Sequence, residues 1–166
     1  MIDLNAFKKI SYGLYIVSSF KGDKINAMIV NSLVQVSSEP AKIMAAINKN
    51  SLTCEYILES KVFAAMPLAQ NTALPFIGIF GFRTGRTFDK FANVKYKKGV
   101  LGAPIVLEHT TACYEAEVEK IIDVGTHYII VGLVKETENF TQDKCLTYDY
   151  YHNVIKGKTP KGATHE

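Results

Sequence analysis

Tryptophan is absent from the 166 residues, and cysteine is scarce: Cys54, Cys113 and Cys145 are odd in number and far apart. That excludes a disulfide framework and the paired C-x-x-C knuckles of zinc or iron–sulfur sites. Buried, reduced thiols are the expected state of Cys54 and Cys113. No apolar run approaches the roughly 18 residues of a membrane helix. The opening MIDLNAFKK lacks the apolar stretch behind basic residues that marks a secretory leader. Both absences point to the cytoplasm. Charge of one sign is lacking as well. A formal charge of +3 is too small to argue for nucleic acid, yet it is compatible with an anionic small ligand. Repeats and low-complexity segments are missing, so 166 residues read as one domain, large enough for a real core.

What is present is a series of short β-branched and aromatic runs separated by turn residues. Residues 13–19 and 25–30 flank Lys21-Gly22-Asp23-Lys24 and predict a hairpin. Residues 33–36 continue or follow the second strand until Pro40 stops it. Further strands are expected at 43–47, at 62–66 and at 127–134. Residues 111–122 alternate, with Tyr114, Ala116 and Val118 on one face and Glu115, Glu117 and Glu119 on a wet one. Asp123-Val124-Gly125 turns this strand into the next. A helix is predicted over 51–60, with Cys54, Ile57 and Leu58 on one face. Residues 72–80 are ambiguous, a helix there requiring Pro75 in its first turn. Residues 95–102 read as a loop, and residues 148–166 as an irregular tail. Many short strands and few helices argue for a closed antiparallel barrel with no exposed edge.

Two places carry polar residues where a strand should stay apolar. Asn31 and Ser32 interrupt the run after Val30; they either satisfy a bulge or edge, or contact a ligand. Asn48, Lys49, Asn50, Ser51 and Thr53 follow the next strand and open the helix, with Asn50 or Ser51 as N-cap. Unpaired amides and the positive dipole end at such a tip suit an ordinary cap and an anion alike. Arg83, Thr84 and Arg86 lie in a glycine-containing loop, where arginine can grip phosphate or be merely solvated. His127 opens an apolar strand, as a satisfied core histidine or a cofactor contact. Lys90, Lys95, Lys97 and Lys98 with Phe88, Phe91 and Tyr96 would suit single-stranded nucleic acid if they formed one surface, but the modest net charge opposes it. His109 and Cys113 have helical spacing in a strand region, which speaks against a metal site.

In order, VNSLVQVSSEP, AAINKNSLT, FGFRTGRTFDKF, GAPIVLE, DVGTHYIIVGLV and LTYDYYHNVIKGKTPKGA resemble the flavin-reductase-like family of FMN-binding split barrels, especially flavoredoxins and the flavin part of high-molecular-weight rubredoxins. The resemblance implies a mainly β fold, an antiparallel split β-barrel with a few short helices. It implies a homodimer that binds FMN and exchanges electrons with NADH, NADPH or a protein partner. It maps flavin contacts onto Ile29, Val30, Asn31 and Ser32. Ribityl and phosphate contacts fall on Ala46, Ile47, Asn48, Lys49, Asn50, Ser51 and Thr53, and further phosphate contact on Arg83, Thr84 and Arg86. His127 falls beside flavin and nicotinamide, as the candidate catalytic residue. High-molecular-weight rubredoxins carry paired C-x-x-C knuckles after the flavin domain, and this sequence has none. A separate acceptor, of rubredoxin type for example, is therefore expected, and a carrier reduced only by a partner protein is the alternative. Tyr148, Tyr150, Tyr151 and His152 are either interface packing or an aromatic cover over the flavin ring.

Overall fold

Gly22 and Asp23 close the first hairpin, with Gly22 at φ +60°, where a side chain would be strained. In the computed structural model, which describes residues 1–163, they join β1 (Tyr15–Lys21) to β2 (Lys24–Val30). A 3-10 turn over Leu4–Lys9 precedes them. There follow β3 (Leu33–Ser38), β4 (Ala41–Asn48), α1 (Leu52–Ser60), β5 (Val62–Pro67), α2 (Leu74–Gly81), β6 (Tyr96–Lys98), β7 (Pro104–Val106), β8 (Ala112–Asp123), β9 (His127–Asn139) and α3 (Tyr148–Asn153). Pro75 sits in the first turn of α2, where its missing N–H costs nothing.

Seven strands form one antiparallel sheet in the order β2-β1-β5-β8-β9-β4-β3. Strand β3 does not extend β2. The chain leaves β2 at Val30, passes through Asn31 and Ser32, and re-enters the sheet beyond β4. The hydrogen-bonded ladder therefore has two ends, β2 and β3, rather than the edgeless closure expected. The amide of Ala46 donates to the carbonyl of Ser32 at 3.2 Å and ties the crossing to β4. The barrel is split because the chain crosses at Asn31 and Ser32 from one end of the ladder to the other, and β2 and β3 do not pair.

Alternation sorts the apolar residues into two cores. On β1, Ile16 joins a cluster with Met66, Phe80, Phe91, Ile105 and Tyr151, while Val17 joins one with Ile43, Ile47, Ile57, Phe63 and Ile130. The first is covered by α2, by the β6–β7 hairpin and by α3. The second receives Cys54 and Ile57 of α1. Cys54 and Cys113 are buried free thiols, and Cys145 is exposed.

Three expectations need correction. Glu115 does not face water. A register shift between Glu115 and Ala116 turns it inward, where its carboxylate accepts from Val100 N–H (3.1 Å) and Leu101 N–H (2.9 Å). Residues 95–102 are not all loop, since Tyr96–Lys98 pairs with Pro104–Val106. Nor does the segment from Tyr148 begin irregularly: Thr147 caps α3 by accepting from Tyr150 N–H at 3.1 Å. The basic, aromatic surface suited to nucleic acid is not assembled either, because Lys90 and Phe91 are buried. Among the described residues no helix is long and apolar enough to cross a membrane.

Candidate functional site

The interruption after Val30 builds one wall of a groove. Asn31 is buried to 7% exposure, and its Nδ2 and the Oγ of Ser32 are enclosed without a hydrogen-bond partner among the described residues. Leaving a buried polar atom unpaired costs about 1–3 kcal/mol. Of the two, Asn31 lines a cavity in which a ligand could supply that partner. Met28, Ile29, Val30 and Asn31 share this cavity with Ala46, Asn48 and His127 from β4 and β9, and with Gly81 and Phe82 behind α2. Asn48 and His127 are cross-strand partners, so the two side chains emerge together at the end of the ladder. Tyr148, Tyr151, Lys158, Thr159, Pro160, Gly162 and Ala163 complete its lining. The Gly162 carbonyl accepts from Asn48 Nδ2 at 2.6 Å.

The second wall is a helix tip. Asn48 Oδ1 accepts from Asn50 N–H (2.8 Å), and Ser51 Oγ accepts from Cys54 N–H (3.0 Å) while donating to the Asn48 carbonyl (2.9 Å). Ser51 is thus the N-cap of α1, and Asn48 holds the turn that presents it. Asn50, Ser51 and Thr53 line a cavity with Arg83, Thr84 and Lys90. It shares Met28, Ile29, Asn48, Gly81, Pro160, Gly162 and Ala163 with the first cavity, so the two are ends of one groove. The arginine loop fits against it at Gly85, where a Cβ would meet Asn26 Oδ1 at 2.1 Å. Asn26 in turn donates through Nδ2 to Thr53 Oγ1 at 3.0 Å.

Not every residue singled out in the sequence turns its side chain to the groove. Strand alternation sends Ile47 into the second core while Ala46 and Asn48 face outward. Ser32 lies beneath the wall rather than on it. Lys49 pairs with Asp123 (2.5 Å) and sits 4.8 Å from the Tyr128 ring centre. Arg86 is bound to Glu55 and to the Asn50 carbonyl, which draws it away from the ligand space and holds the Glu55 carboxyl below its usual range. Arg83 lines the groove, exposed, with its guanidinium 5.0 Å from the Phe88 ring centre.

His127 is 7% exposed, and Nδ1 shares a hydrogen with Thr126 Oγ1 at 2.7 Å. Burial lowers its pKa, so the ring is neutral at pH 7 and Nε2 is the nitrogen left for a ligand. Sequence reasoning missed Lys90 altogether as a groove residue. It is 5% exposed and donates through Nζ to the carbonyls of Ala27 (2.8 Å) and Phe80 (3.0 Å). Phe82 and residues 158–163 were missed too, and no local pattern marks them. Among the described residues no group of three or more histidine, cysteine or acidic side chains is placed to hold a metal.

A groove with apolar walls and an unpaired polar atom at one end, and a helix tip with a buried cation at the other, matches an elongated ligand that is aromatic at one end and anionic at the other. The flavin reductase like domain family matches residues 7–155. The chain belongs to that family. Among relatives of this flavin reductase like domain, a ferric-chelate reductase (NAD(P)H) from Archaeoglobus fulgidus is 43% identical over 163 residues, 98% of this chain and 96% of the relative. A high molecular weight rubredoxin from Moorella thermoacetica is 41% identical over 162 residues, 98% of this chain and 71% of the relative. Among solved structures, the flavin reductase HpaC complexed with NADP+ aligns at a TM-score of 0.74 and 27% identity, over 87% of this chain and 89% of that one. In the flavin reductase like domain described here, the groove lies where the split in the barrel meets the tip of α1.

Proposed function

We propose that the protein is an FMN-dependent oxidoreductase that draws electrons from NADH or NADPH and passes them to a separate acceptor. The observation that carries this is one groove running from the unpaired Nδ2 of Asn31 to the N-terminus of α1. Relatives named as a ferric-chelate reductase (NAD(P)H) and a high molecular weight rubredoxin support it, and the latter favours a rubredoxin-type acceptor.

When bound, FMN supplies the two-electron chemistry between nicotinamide and acceptor. The chain's own residues position it. Ile29, Val30 and Asn31 border the flavin ring, and Asn31 Nδ2 gains the partner it lacks. Ala46 leaves room for the ring, and His127 offers a neutral Nε2 at its edge. Asn50, Ser51 and Thr53 present the amides of α1 to the phosphate, with Arg83 and Thr84 across from them. No side chain is required as a nucleophile or general base. A homodimer in the cytoplasm is part of this reading; Val34 and Val36, each 48% exposed on the end strand β3, are an apolar edge that a second copy would cover.

The test is the absorption spectrum of the purified protein, followed by anaerobic mixing with NADH or NADPH. A flavin band near about 450 nm that bleaches with either nucleotide is expected. Protein that carries no flavin and takes up none at micromolar concentration overturns the reading. A band that only a reduced protein partner bleaches reassigns the molecule as a carrier.

A further inference from the structure

The last stretch of described chain, residues 157–163, forms no strand and sends no residue into either core. Every one of its residues is half-buried or exposed. It is held instead by side chains from α3. His152 donates through Nδ1 to the Gly157 carbonyl (3.0 Å), and its Nε2 shares a hydrogen with Thr159 Oγ1 (3.2 Å). Tyr148 Oη shares one with the same hydroxyl (2.5 Å), and Tyr151 Oη donates to the Lys158 carbonyl (2.8 Å). Gly157 lies so close on Tyr151 that a Cβ would meet the ring at 2.1 Å.

This stretch borders the groove from end to end. Thr159 lines the cavity of Asn31 and His127, Lys161 lines that of Ser51 and Thr53, and Pro160, Gly162 and Ala163 line both. Asn48 lines both as well, so its 2.6 Å bond to the Gly162 carbonyl stands where the two ends meet. A ligand reaching from Asn31 to α1 passes that bond, and is neither laid in nor lifted out while it holds. Fastenings of this kind, polar and partly exposed, open locally at far less cost than the barrel unfolds.

We propose that residues 157–163 are a latched strap, opening to admit the flavin and closing to keep it with the protein through turnover. This rests on the reading of the groove as an FMN site. The latch is His152. It faces a neighbouring cavity bordered by Lys8, Tyr12 and Asn153 and lines neither end of the groove. Its two bonds to the strap are therefore the same with the groove empty or filled. The pivot is Lys156, at φ +63°, with Gly157 after it. The flavin is then a resident group: electrons leave the protein, and the flavin does not.

A latch has a kinetic signature that a flavin contact lacks. Weakening it multiplies the open fraction of the empty and the filled protein alike, so entry and release both quicken and their ratio stays. Losing a contact to the flavin quickens release alone.

The experiment follows FMN fluorescence by stopped flow, on mixing with flavin-free protein and on dilution of the complex, for the wild type and His152→Phe. Phenylalanine keeps the edge contacts to the Tyr148 and Tyr151 rings and removes both hydrogen bonds. Both rate constants are expected to rise about tenfold, with the dissociation constant within about threefold of the wild type. Unchanged rates, or faster release with unchanged entry, overturn the proposal. Should His152→Phe fail to fold, the wild type decides through its exposed Lys158 and Lys161. Trypsin cleaves there through the open form, and FMN in the groove lies against the strap. Saturating FMN is therefore expected to slow that cleavage at least about fivefold. Equal cleavage with and without FMN overturns the strap, whereas a wild type that binds no FMN refutes the site itself.

Discussion

At one end of the groove, Asn31 Nδ2 is buried with no hydrogen-bond partner among the described residues, while at the other end Ser51, Thr53 and Lys90 are all engaged by the protein itself. The contrast separates two ways of holding one ligand. Near the split in the sheet, recognition is left incomplete, and the fold carries the cost until a partner arrives. Near the tip of α1, side chains brace the backbone, and recognition comes from amides and net charge. Substitutions at the first end should therefore affect every flavin. Those at the second should affect only a phosphorylated one.

The sharpest way to break that contrast is Asn31→Leu, which keeps the size and removes the polar atoms. Both FMN and riboflavin should bind about tenfold or more weakly, while the ligand-free protein gains about 1 kcal/mol in urea unfolding. A loss confined to FMN would dissolve the distinction between the ends. Ser51→Ala comes next. Removing the N-cap should cost about 1 kcal/mol of stability, and FMN affinity should drop about fivefold to tenfold with riboflavin nearly unaffected.

A smaller effect concerns His127. Its folded-state pKa is depressed by burial below the ordinary 6.5, so below that pH the unfolded chain binds more protons than the folded one. Stability is intact above pH 6.5 and declines as acidification proceeds toward the folded value. His127→Gln should flatten the fall of Tm between about pH 7 and 5. An unchanged slope would mean that the imidazole is not held neutral by its surroundings. The smallest effect belongs to Arg86→Ala. With Arg86 committed to Glu55, FMN affinity should change by less than about threefold; a larger loss would show that the guanidinium leaves Glu55 for the phosphate.

Much of the fold was legible because burial imposes a period of two. The strands fell close to their expected places, and the Ser51 cap announced α1. What failed was whatever depended on a register shift or on distant contacts. Glu115 occupied a wet position by alternation, and a bulge after it, invisible in local composition, carried it inward. The β6–β7 pairing depends on that same carboxylate, with Gly99 so close that a Cβ would meet Glu115 Oε2 at 2.5 Å. At the groove, Asn31 and Ser51 stood out because polar residues broke an apolar pattern. Lys90 did not, because a lysine among other lysines reads as solvated. Only the carbonyls of Ala27 and Phe80, brought in from elsewhere in the chain, distinguish it from Lys95, Lys97 and Lys98.

Asn48 deserves a last consequence. Its Oδ1 fixes the turn before α1 and its Nδ2 holds the Gly162 carbonyl, so a single amide fastens the final described stretch alongside the ligand channel. Ala163 thereby borders that channel rather than the far side of the barrel.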